Sequence, residues 1–167
     1  ELLTGVAGLH TVYVPVGMGS GVCGLVTVRD LLGLDTRIVG VVSTEAPAYA
    51  RSFEAGKVVQ TNDARTFADG VACRLPDPSA LALIREGVER FVEVSDDQVA
   101  EAMRILHSDT HNVAEGAGAL ALAALLADAE SGGAGRFAGR SVAAIQTGGN
   151  VDADVLAEVL SGGTPSA

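Results

Sequence analysis

The chain has 167 residues, enough for one domain with a real core, and 48% of them are hydrophobic, which excludes disorder by composition. Its formal net charge is −10 and its basic residues are scattered, so neither nucleic acid nor an anionic membrane surface is expected as a partner. No apolar run reaches the roughly 18 residues of a membrane span. The opening ELLTGVAGLH lacks the basic flank of a secretory leader. Cys23 and Cys73 show neither metal nor redox spacing, which fits a reducing cytoplasm.

Thr11 to Val16 reads as a short strand ended by Pro15 and followed by a glycine-rich turn, Gly17 to Gly21. Val22 to Leu32 has helical character, and Gly33 suits its C-terminal cap. Arg37 to Ser43 is β-branched and apolar, as a buried parallel strand would be. These pieces make a β-turn-α-β unit. A short helix is expected over Pro47 to Ala55, an irregular stretch over 57–77 and a helix over Pro78 to Arg90. Phe91 to Val94 reads as a strand. Ser95 and Gln98 have the spacing of a capping box for a helix reaching Leu106. Asn112 to Ala127 is rich in Ala and Leu nearly all round and predicts a buried helix, followed by a Gly/Ala loop from Ser131 to Gly139. Ser141 to Gln146 reads as a last strand, Val151 to Leu160 as a last helix and 163–167 as a loose tail. The alternation predicts an α/β domain over residues 1–162, with a mainly parallel twisted sheet covered by helices on both faces.

The segment VPVGMGSGVCG follows a strand and opens a helix. Small residues there let backbone N–H groups converge beside a helix N-terminus, an arrangement suited to a phosphate monoester without any basic side chain. Two other readings stay open at this point. The glycines could simply permit a tight β–α turn. Alternatively, Gly19-Ser20-Gly21-Val22-Cys23-Gly24 satisfies a G-x-G-x-x-G pattern, with Glu45 at the end of the next strand, as in a Rossmann dinucleotide domain of an oxidoreductase.

PVGMGSGVCG resembles the phosphate loop of fold-type-II pyridoxal-phosphate (PLP) enzymes, the tryptophan-synthase-β-like group. Three further segments agree in order: IVGVVSTEAPAYARSFEAG, TFADGVA, and HNVAEGAGALALAALL followed by IQTGGNVD, the last pair resembling threonine/serine dehydratases and serine racemase. The resemblance covers about residues 10 to 155 and implies the larger, PLP-binding domain of such an enzyme. It implies that Gly17, Met18, Gly19, Ser20 and Gly21 bind the cofactor's phosphate, that Thr147 places its hydroxyl against the pyridine nitrogen, and that Glu115 and Gly148 lie beside the ring. A hydroxyl at that nitrogen permits a neutral pyridine, which suits β-elimination. On the residues alone, Asn112 and Glu115 also fit a capping box and Asn150 an N-cap. Glu45 matches a carboxylate that binds a monovalent or divalent cation in some relatives, although Arg51 stands where a second carboxylate would help.

The resemblance further implies a Schiff-base lysine upstream of the glycine loop, in a Ser-x-Lys-x-Arg-Gly-like segment. The chain holds no such segment. Its one lysine, Lys57, lies past the loop at an expected helix end, where the helix dipole explains it. No catalytic residue is therefore expected within these 167 residues, which read as the C-terminal part of a cytoplasmic dehydratase (ammonia-lyase) of a small amino acid. Such a part is expected to associate with another copy or with the missing N-terminal region. A serine-racemase-like isomerase and a PLP-binding remnant without turnover are the variants of that reading.

Overall fold

A computed structural model of the chain describes residues 1–132 and 135–167. Four strands form one parallel sheet: β1 (Leu9–Pro15), β2 (Arg37–Ser43), β3 (Arg90–Val94) and β4 (Ser141–Ala144). Their spatial order is β3-β2-β1-β4. Seven α-helices accompany them among the described residues: α1 (Leu2–Gly5), α2 (Ser20–Leu31), α3 (Ala48–Ala55), α4 (Pro78–Gly87), α5 (Asp96–Ile105), α6 (Gly116–Ser131) and α7 (Ala153–Leu160). None of the described helices is long and apolar enough to cross a membrane.

Strand pleating sorts the core. Tyr13, Val39 and Val41 point to one face and pack with α5 and α6 residues such as Val99, Met103 and Leu120. Val14, Val16, Ile38 and Val42 point to the other, against Val22 and Val26 of α2 and Leu81 and Ile84 of α4. The two-sided covering expected from the sequence is therefore the observed architecture. Helix α6 is buried on nearly all sides because it lies between the sheet and α5. Leu120 at its centre is fully buried, and truncation to Ala would cost about 2–5 kcal/mol.

Local chemistry sets several helix starts. Ser95 Oγ accepts from the Gln98 N–H at 3.3 Å while Gln98 Oε1 accepts from the Ser95 N–H at 2.9 Å, completing the expected capping box of α5. Asp77 caps α4 by accepting from the Ala80 N–H at 2.8 Å, with Pro78 in the first turn.

Four expectations shift. The helix expected from Asn112 begins only at Gly116, because a π turn over Leu106–Thr110 ends at His111 in left-handed backbone (φ 58°) and 112–115 continue non-helical. That helix then runs to Ser131, into the expected Gly/Ala loop, of which residues 133 and 134 lie outside the described residues. The strand expected to reach Gln146 stops at Ala144. Residues 163–165 are tied down where a loose tail is expected: Arg104 donates to the Gly163 carbonyl at 3.1 Å, Thr164 Oγ1 donates to Asp97 at 2.6 Å, and Pro165 is buried. The short helix α1 precedes β1, which the β-rich start does not signal.

Chain order and strand order together fix where a ligand fits. From β1 the chain steps outward to β2 and β3 on one side, then returns to add β4 on the other. The C-terminal ends of β1 and β4 therefore flank the switch point of a doubly wound sheet, where loops diverge and leave a crevice.

Candidate functional site

The crevice at that switch point is a cavity of about 220 Å³ lined by Pro15, Gly17, Met18, Gly19, Ser20, Gly21, Gly70, Val71, Glu115, Ala117 and Thr147. The loop after β1, the start of α6 and the segment after β4 thus meet in one place. All five loop residues expected to hold a phosphate line it, together with Glu115 and Thr147. Gly148 stands just behind this wall.

The loop is shaped by close backbone approach. A Cβ on Gly17 would overlap the Gly70 carbonyl oxygen. Gly19 has φ +94°, left-handed backbone that favours glycine, and directly precedes the first turn of α2. The N-terminal N–H groups of that 12-residue helix have no partners within it, and the macrodipole adds positive potential at the same end. Neither lysine nor arginine is among the lining residues. The donor set suits a dianionic phosphate held by backbone, as the sequence implies.

The opposite wall is built by two further glycines. A Cβ on Gly118 would run into the Gly148 carbonyl, and one on Gly148 would lie 2.6 Å from Glu115 Oε1. Their absence lets α6 press against the 147–150 turn, where the Glu115 N–H donates to the Gly148 carbonyl at 3.1 Å. The capping-box reading of Asn112 and Glu115 is overturned. Glu115 itself occupies the cap position of α6, and its Oε2 accepts from the Asn150 N–H at 3.2 Å. Asn112 turns back to Thr110, with Nδ2 to Oγ1 at 3.1 Å. Asn150 is not an N-cap either, because α7 begins at Ala153 with Asp152 before it. The Thr147 side chain is exposed on the cavity rim.

Glu45 lies apart from this cavity. It stands exposed two residues past β2, with its N–H donating to Ser43 Oγ at 3.1 Å. Among the described residues no group of three or more His, Cys, Asp or Glu side chains gathers, at Glu45 or elsewhere. Lys57 is exposed, just past α3 and its left-handed Gly56, and does not line the cavity. A dinucleotide is a poor occupant, because Glu45, the acidic residue of that pattern, does not line the cavity.

Sequence reasoning missed Pro15, Gly70, Val71 and Ala117 as lining residues. The TFADGVA segment was visible as a match, but nothing in it signals that the short 3₁₀ turn Asp69–Val71 forms the cavity floor.

Comparison with known proteins finds relatives across the whole chain. The chain is 27% identical to the L-threonine ammonia-lyase of Thermotoga maritima over 163 residues, 98% of this chain and 39% of that protein. It is 31% identical to the L-threonine ammonia-lyase of Geobacter sulfurreducens over 167 residues, 100% of this chain and 40% of that protein. Among solved structures, the processed form of threonine deaminase isoform 2 from Solanum lycopersicum superposes with a TM-score of 0.89 at 28% identity, covering 96% of this chain and 46% of that one. The chain thus spans less than half the length of these relatives. The family model described as pyridoxal-phosphate dependent enzyme matches residues 3–148, and the chain belongs to that family.

Proposed function

We propose that this chain supplies the phosphate cup and one wall of the ring site in a PLP-dependent ammonia-lyase acting on a β-hydroxy amino acid such as threonine or serine. The reaction removes water across the α and β carbons and yields a 2-oxo acid and ammonia. The observation that carries the reading is the shared cavity: an amide-lined loop with no basic side chain, a carboxylate and a hydroxyl, all at the switch point of one sheet.

When bound, PLP supplies the electron sink for loss of the α-proton. The chain's own residues do the holding. Residues 17–21 would bind the phosphate through backbone N–H groups and the first turn of α2, with Ser20 Oγ available as a further donor. Thr147 would offer its hydroxyl to the ring nitrogen, which needs no proton there for an elimination. Glu115, fixed by the Asn150 N–H, lines the same wall. The lysine that moves the α-proton would come from polypeptide outside these 167 residues, since Lys57, the one lysine here, does not line the cavity. Exposed Leu31, Leu75 and Met18 support association with that polypeptide or with a second copy.

Titrating the 167-residue chain with PLP, followed by ultraviolet-visible spectroscopy and borohydride reduction, tests the reading. Saturable binding is expected, with no covalent adduct at Lys57. Absence of saturable PLP binding, or tight NADH binding in its place, would overturn it. With the lysine-bearing polypeptide present, 2-oxo acid should form from threonine or serine.

A further inference from the structure

Tyr49 lies behind the phosphate loop, outside the cavity lining, and has no role in the reading above. It is fully buried, and its hydroxyl is engaged on both sides. It donates to the Met18 carbonyl at 2.7 Å and accepts from the Asp77 N–H at 3.1 Å. Burial pushes its ionisation upward, so the hydroxyl keeps the proton it donates.

The Met18 carbonyl belongs to the same planar peptide as the Gly19 N–H. In a trans peptide these two groups point in opposite directions. A carbonyl held inward by a buried hydroxyl therefore turns the Gly19 N–H outward, toward the cavity that Gly19 lines. Left-handed backbone at Gly19 (φ +94°) allows this turn, and a Cβ there would sit 3.2 Å from Tyr49 Oη. Without the hydroxyl, a loop rich in glycine could rotate this peptide at little cost. Asp77 sets the hydroxyl in turn, because its backbone is fixed by capping α4.

We propose that Tyr49 is a positioning residue of the phosphate cup, which orients the Met18–Gly19 peptide so that the Gly19 N–H is presented to a phosphate monoester. The proposal rests on the loop being that cup. Tyr49 contributes nothing to the ring or the amino-acid substrate, so its removal penalises only ligands that carry a phosphate.

The test measures affinity of the full chain and of Tyr49→Phe for PLP, for inorganic phosphate and for pyridoxal, which lacks the phosphate. Tyr49→Phe should bind PLP and phosphate about tenfold more weakly and pyridoxal as the parent chain does. The ³¹P resonance of bound PLP should also move toward its free-ester position. Equal PLP-to-pyridoxal preference in the two proteins would overturn the proposal while leaving the cofactor reading intact. A parent chain that binds neither PLP nor phosphate overturns both. Should Tyr49→Phe fail to fold, 3-fluorotyrosine in the otherwise unchanged chain gives a second readout. The ¹⁹F signal of residue 49 should shift with PLP or phosphate and stay still with pyridoxal, and an unmoved signal with all three ligands overturns the proposal.

Discussion

The two ends of the sheet handle charge in opposite ways. At the C-terminal ends of the strands, the candidate phosphate cup contains no basic side chain. At the N-terminal ends, Arg37, Arg90, Arg136 and Arg140 surround a hollow of about 160 Å³ together with His10, Tyr13 and Glu89. A search for phosphate by counting cations would choose the second place. Yet those cations are largely committed: Arg90 and Arg136 both pair with Asp128, which also accepts from Tyr13 Oη at 2.5 Å, and Arg37 pairs with Glu89 at 3.3 Å. At the arginine end, Asp128 and Glu89 tie three of the four arginines into the fold, whereas the amide end lines a cavity with no basic side chain among its lining residues. Clustered charge alone does not mark a binding site when its counter-charges are part of the fold.

Three perturbations would break or sharpen this contrast. The largest stability effect is expected for Asp128→Ala, which strands two arginines and a tyrosine hydroxyl and should cost about 3 kcal/mol in urea unfolding, with PLP affinity unchanged. A parallel loss of PLP affinity would show that the two ends are coupled. Gly17→Ala comes next. Its Cβ collides with the Gly70 backbone, so about 1–3 kcal/mol of stability should be lost, and PLP affinity should fall at least tenfold by fluorescence titration. The third effect appears only at alkaline pH. Burial, reinforced by Asp128, pushes the Tyr13 ionisation up to about 12 from its ordinary 10.0. A raised pKa favours the folded state while the hydroxyl is protonated. Its contribution is complete below pH 10 and disappears as pH climbs to 12, a loss of roughly 2 kcal/mol. Tyr13→Phe should flatten that part of the stability profile.

The same contrast explains what could be read from the sequence. Features made by neighbours in the chain were legible. The pattern of β2 gives its two-sided burial, Ser95 and Gln98 give the α5 cap, and the glycine run after β1 gives the loop. Features made by distant residues were not. Asn112 and Glu115 have capping-box spacing, but the Gly148 carbonyl and Asn150 N–H claim Glu115 from 33 and 35 positions away. Tyr49 reads as one apolar residue on a short helix, and only folding brings its hydroxyl to Met18. Asp128 sits in an apolar helix like an interruption, and its three partners come from β1, β3 and the segment before β4.

The crowding around Gly17 and Gly19 divides the loop into two kinds of position. Backbone or packed side chains block a Cβ at residues 17 and 19, while Met18 and Ser20 already carry exposed side chains and residue 21 has open space around it. Sequence drift in this loop should therefore concentrate on the side chain at 18. Lineages or laboratory libraries could vary the exposed Met18 side chain widely while 17 and 19 stay as glycine, whereas a side chain at 21 would enter the space assigned to the phosphate.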